Sequence, residues 1–176
     1  NRSSGVQGTK TVTMKKILFI PLILIGLSVQ AKPEKIFPKT KILKPVSWYS
    51  DQMVEWSSYV QSHSTEADAW LNYYAATRFA QRNDQQLNLI VEKMMLAIPN
   101  TFEYYLIQGW HAGFGRDAMN LLTKAYGMKP EHSWSYSLLM MASEFQSNKE
   151  NRMFYAKKMH EAGILSAALL SYSYNV

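Results

Sequence analysis

Apolar residues recur at helical spacing through most of this chain, and Pro, Gly and Asn interrupt the pattern at short intervals. From Trp48 onward, Tyr49, Met53, Trp56 and Val60 fall at i, i+4, i+7 and i+11, a stripe on one side of a helix. Thr65 and Asp68 have capping-box spacing and open a second helix, in which Trp70, Tyr73, Tyr74 and Thr77 share a side. Asp84 reads as the cap of a third helix to Ala97, with Leu87, Ile90, Val91 and Met94 inward. Pro99-Asn100 ends it, and Asn100-x-x-Glu103 starts a fourth. Further helices are expected over Arg116 to Tyr126, Trp134 to Gln146 and Asn148 to Ala162, the last stopped by Gly163. No strand-like alternation and no Asn-Gly or Asp-Gly hairpin signal precedes residue 164. The expected fold is all-α, with short loops that make neighbouring helices antiparallel hairpins.

The N-terminus reads differently. Met14, Lys15 and Lys16 precede the apolar run Ile17 to Val29, and Val29-Gln30-Ala31 places small residues where a signal peptidase reads. Residues 14–31 are thus expected to be a secretory signal peptide cut after Ala31. The run is about 13 residues, short of the roughly 20 that a spanning helix needs, so no stable membrane span is expected after cleavage. Residues 1–13 read as upstream sequence, and the expected address is bacterial export to the periplasm or cell surface. Lys32 to Ser47 holds Pro33, Pro38 and Pro45 with five lysines, and reads as an extended, solvated linker to a helical domain over 48–163. The tail 164–176 turns apolar, with Tyr172 and Tyr174 alternating with serines, and reads as a strand entering a missing downstream domain.

Charge follows the same division. The whole chain carries +6, but from Pro45 onward there are 10 basic against 12 acidic residues. The high pI therefore comes from the leader and the linker, and no basic folded face for nucleic acid is expected. Without any Cys, thiol chemistry and Cys-based zinc sites are excluded.

The helices pair as 65–81 with 84–97, 101–113 with 116–127, and 132–146 with 149–162. Pair starts lie about 36 and 31 residues apart, near a 34-residue helix–turn–helix period. In the middle unit Ala118, Leu122, Ala125 and Pro130 take the small, large, small and terminating positions of a packing repeat, and Pro99 ends the unit before it. On these residues, 65–163 resembles a tetratricopeptide-like array, most clearly over 102–130. The resemblance implies a short stack of helical hairpins that binds another protein, with the first helix capping its N-terminal end.

Candidate sites are few. Gly109, Gly113 and Gly115 form G-x3-G-x-G after a helix, without the Lys-Ser/Thr of a phosphate loop. Lys124 stands near the wrong end of the following helix to meet an anion, so the glycines read as an inter-helix turn, in which Gly115→Ala should cost stability if the turn needs positive φ there. His63, His111, His132 and His160 are scattered, and no H-E-x2-H or G-x-S-x-G occurs. No catalytic residue, metal or cofactor is expected. Aromatics remain: Trp70, Tyr73, Tyr74, Tyr104, Tyr105, Trp110, Trp134 and Tyr136. Most should fill inter-helix grooves, but one of each adjacent Tyr pair must point elsewhere. Together they form the candidate binding face for a protein, a peptide segment or a glycan. The expected role is an exported scaffold for protein–protein interaction; the alternative is the N-terminal helical module of a larger secreted enzyme or glycan-binding protein.

Overall fold

The computed structural model describes residues 31–80 and 83–165. The expected signal peptide, apart from Ala31, and the tail beyond Leu165 lie outside the described residues. About 71% of the described residues are helical and none is in a strand. The helices are α1 (Val46–Ser62), α2 (Ala67–Ala80), α3 (Asp84–Ala97), α4 (Phe102–His111), α5 (Arg116–Met128), α6 (Ser133–Phe145) and α7 (Lys149–Glu161).

Local chemistry explains where they start and stop. The cap of α3 is Asn83 rather than Asp84: its backbone is extended and its side chain accepts the Gln86 N–H at 3.2 Å. The cap of α4 is Thr101 rather than Asn100, with its Oγ1 3.1 Å from the Tyr104 amide. Asn100 cannot cap because it sits at φ 62°, where its Oδ1 instead accepts the Tyr105 hydroxyl at 2.7 Å. Gly163 does end α7 in the left-handed region, at φ 67°. The Ile164 amide reaches back to the Met159 carbonyl at 2.7 Å and Gly163 to His160 at 2.9 Å, a Schellman closure. Ser147 closes α6 the same way at φ 56°.

The hairpins α4/α5 and α6/α7 pack closely, and α2, α4 and α6 touch in succession as a row. The N-terminal end departs from the expected pairing of α2 with α3. The larger interface of α2 is with α1, and α3 rests more loosely on α2 and α4. Ala69, Ala75 and Ala76 of α2 are all buried, and small residues at a contact let helix axes approach. The middle unit packs as its pattern suggests. Ala118, Leu122 and Ala125 are buried, and Gly109 of α4 lies so close that a Cβ there would stand 2.8 Å from Leu122 Cγ. Pro99 and Pro130 lie exposed in the loops after α3 and α5.

Residues 32–44 are not a solvated linker. Ile36 is wholly buried and belongs to the main core with Tyr49, Trp56 and Trp70. Its amide donates to Asn72 Oδ1 at 2.7 Å, and the Glu34 carbonyl accepts Trp56 Nε1–H at 3.0 Å. Further along, Lys39 lies over the Phe79 ring at 4.6 Å, and the Thr40 and Ser137 hydroxyls are 3.3 Å apart. The prolines keep this strap extended, and Ile36 with its satisfied backbone partners, together with the buried Pro38, seats it on the helices.

The turn glycines also change roles. Gly115 has φ −75° and caps α5, whereas Gly113 is held at φ 85°. Gly113→Ala should therefore cost about 1 kcal/mol by urea unfolding, and Gly115→Ala should cost less than half of that. Equal losses at both positions would contradict the assignment of strain to Gly113.

Candidate binding groove

The aromatic face expected from the sequence does not form. Trp70, Tyr74, Tyr105, Trp110, Trp134 and Tyr136 are all buried, and only Tyr73 and Tyr104 are half exposed. For Tyr74, Trp110 and Trp134 the reason is the succession of α2, α4 and α6, which turns their rings toward one another, whereas Tyr136 packs in a second cluster with Tyr126, Ala156 and Met159. Trp110 lies 5.3 Å from Tyr74, 5.5 Å from Phe79 and 4.9 Å from Trp134, so the rings weld three helices together. Each adjacent Tyr pair does split, with Tyr73 and Tyr104 as the outer members. Lys124, set aside as a phosphate ligand, lies 4.1 Å from the centre of the Tyr105 ring.

A different surface is open. Because α3 stands off from α1, a groove of about 690 Å³ runs between them, floored by Trp70 and Tyr73 of α2. Val60 and Ser57 of α1 form one wall, and Leu89, Ile90, Lys93 and Leu96 of α3 form the other. Leu96 is 87% exposed and Leu89 50%, which leaves an apolar rim facing water. Among the described residues Lys93 is the one charged residue lining it. The sequence signal was present: Leu89 and Leu96 are seven apart on the side of α3 opposite Leu87 and Met94, outside the expected core stripe.

Elsewhere, polar groups serve the fold. Glu103, buried on α4, pairs with Lys129 at 2.7 Å, and Lys129 also lies 4.7 Å from the Phe102 ring centre. His132 caps α6, its Nδ1 facing the Trp134 amide at 3.4 Å. Burial, reinforced by the Lys35 and Lys129 charges, pushes its pKa from 6.5 down to about 4. The depressed pKa means that the fold disfavours the protonated imidazole. As pH falls below 6.5 the unfolded chain takes the proton first, and stability is lost through pH 4. His111, also lowered by burial, acts in the same direction. His132→Asn keeps an acceptor at the cap without the proton. The loss of stability between pH 7 and pH 5, read from urea midpoints, should shrink in that variant; an unchanged loss would contradict the role of His132.

Among the described residues no group of three His, Asp or Glu could hold a metal ion, and no helix is long and apolar enough to cross a membrane. No family model matches the chain, and no curated protein or solved structure is similar enough to count as a match.

Proposed function

We propose that this chain is an exported, tetratricopeptide-like scaffold whose groove between α1 and α3 binds an amphipathic helix of another protein. The observation that carries the reading is the apolar rim of Leu89 and Leu96, left in water beside an open groove. The lining of α3 runs from Gln86 to Ala97, roughly 16 Å at 1.5 Å per residue, which matches about three turns of a partner helix. Lys93, a charge on the lining, favours a partner with an acidic residue beside its apolar stripe. Stacking on a sugar needs an open ring face, and six of the eight candidate rings are closed off, so a peptide partner fits better than a glycan. Export is supported by the charged, apolar and small-residue order of Met14 to Ala31. Cleavage after Ala31 would leave Lys32 first, at the start of the strap.

The test is a labelled helical peptide with leucines at i, i+4 and i+7 and an acidic flank, titrated by fluorescence anisotropy. It should bind the full chain and lose at least tenfold in affinity to Leu96→Glu, a change at an exposed position that leaves the fold intact. Absence of binding, or equal binding by both chains, would refute the groove as the site.

A further inference from the structure

We propose that the seam between α1 and α2 is a recognition site for an extended, lysine-bearing segment of a partner protein, and that the strap occupies it in cis. The contacts that hold the strap are those a receptor makes with a peptide. Two buried side chains, Trp56 and Asn72, read the main chain, at the Glu34 carbonyl (3.0 Å) and the Ile36 amide (2.7 Å). Every residue but proline offers such groups, so these contacts give affinity without choosing a sequence. Choice comes from two other features. The closed pocket around Ile36, which is 0% exposed, selects a branched aliphatic side chain. Four residues earlier, the Lys32 ammonium sits 2.9 Å from both Glu66 and Asp68, and Tyr59 donates to the same Glu66 carboxylate at 3.1 Å.

Asn72 is itself set for this task. Its Nδ2 donates to the Asp68 carbonyl one turn back at 2.6 Å, which fixes Oδ1 outward as an acceptor for an arriving amide. Asn72 is buried, and its Oδ1 is satisfied by the main chain of the strap and not by a group of its own helix. A partner segment with a lysine and, four residues later, Ile, Val or Leu meets the same partners as the strap. Tethering gives the strap an effective concentration on the order of millimolar, so such a partner binds only by displacing it.

The proposal rests on the reading of the chain as a protein-binding scaffold, yet this seam shares no lining residue with the α1–α3 groove. Leu96→Glu should leave it unaffected, so either test can fail alone. The probe is a fluorescent peptide of residues 32–44, titrated into the full chain. It should bind a chain carrying Ile36→Asp at least tenfold tighter than the wild-type chain, because the variant strap no longer competes. The same peptide carrying Ile36→Asp should not bind. An Ile36→Asp chain that keeps its helical circular dichroism but binds no tighter than wild type overturns the proposal. In case that variant fails to fold, a protease site placed across the exposed Lys41–Leu43 stretch cuts the strap from the folded wild-type chain. The labelled peptide should then exchange into the seam with helicity retained. Loss of helicity once the cut segment leaves, or no entry of the peptide, identifies the strap as a fixed part of the fold and overturns the proposal.

Discussion

Trp110→Ala should cost about 3–5 kcal/mol, the range for removing a large buried ring. Trp110 is 3% exposed, and its ring meets Tyr74 and Phe79 of α2 and Trp134 of α6 while the Arg78 guanidinium lies 5.2 Å from its centre. Truncation leaves a cavity where three helices meet, and neighbouring rings are too constrained by each other to collapse into it. Chemical denaturation should show a lower midpoint with little change in slope, and melting should fall by on the order of 10 °C or more. Phe145→Ala provides the contrast: Phe145 is 71% exposed, and its loss should stay within about 0.5 kcal/mol. Similar costs at the two positions would contradict a ring cluster as the link between helices.

Gly109→Val should cost about 2 kcal/mol or more, by overpacking instead of a cavity. An added Cβ at Gly109 would stand 2.8 Å from Leu122 Cγ, 2.9 Å from Leu122 Cδ2 and 3.2 Å from the Ala118 carbonyl oxygen. Leu122 is wholly buried, and the Ala118 oxygen is backbone, so neither yields cheaply. Valine also brings two further methyls into the contact between α4 and α5. Alanine at the same site gains helix propensity against a smaller clash, so its cost should be lower than that of valine. Leu122→Ala should partly rescue Gly109→Val, and a double-mutant cycle should give a coupling well outside the roughly 0.5 kcal/mol expected of independent sites. Strict additivity would mean that the close approach of α4 and α5 is not what the glycine permits.

How much of this was legible in the sequence depends on the range of the force involved. Helix identity follows from local periodicity, and the seven helices of the described residues sit where the stripes of residues such as Leu87, Ile90 and Met94 place them. Ala118, Leu122 and Ala125 could be read as packing positions because their spacing encodes a face. Caps were harder, since Asn83 and Thr101 each stand beside another good capping residue, and backbone conformation decides between them. Gly113 and Gly115 could not be ranked for the same reason. The aromatics could not be sorted into buried and open from the sequence, because tertiary packing decides which ring is covered. Trp110 and Trp134, far apart in sequence, close over one another, while the aliphatic Leu89 and Leu96 stay open. The strap was misread because composition describes a segment and not its docking. Five lysines and three prolines suggest solvent, yet Ile36, met by Asn72 and Trp56, and the buried Pro38 carry the segment onto the helices.

The docked strap is the claim on which the recognition seam depends, and native-state hydrogen exchange at the Ile36 amide tests it most directly. In the full chain this amide donates to a buried Asn72 oxygen at 2.7 Å, so it should exchange at least a hundredfold more slowly than the exposed amide of Leu43, and Asn72→Ala should remove most of that protection. Exchange at Ile36 as fast as at Leu43 would show a solvated linker, and would contradict the account.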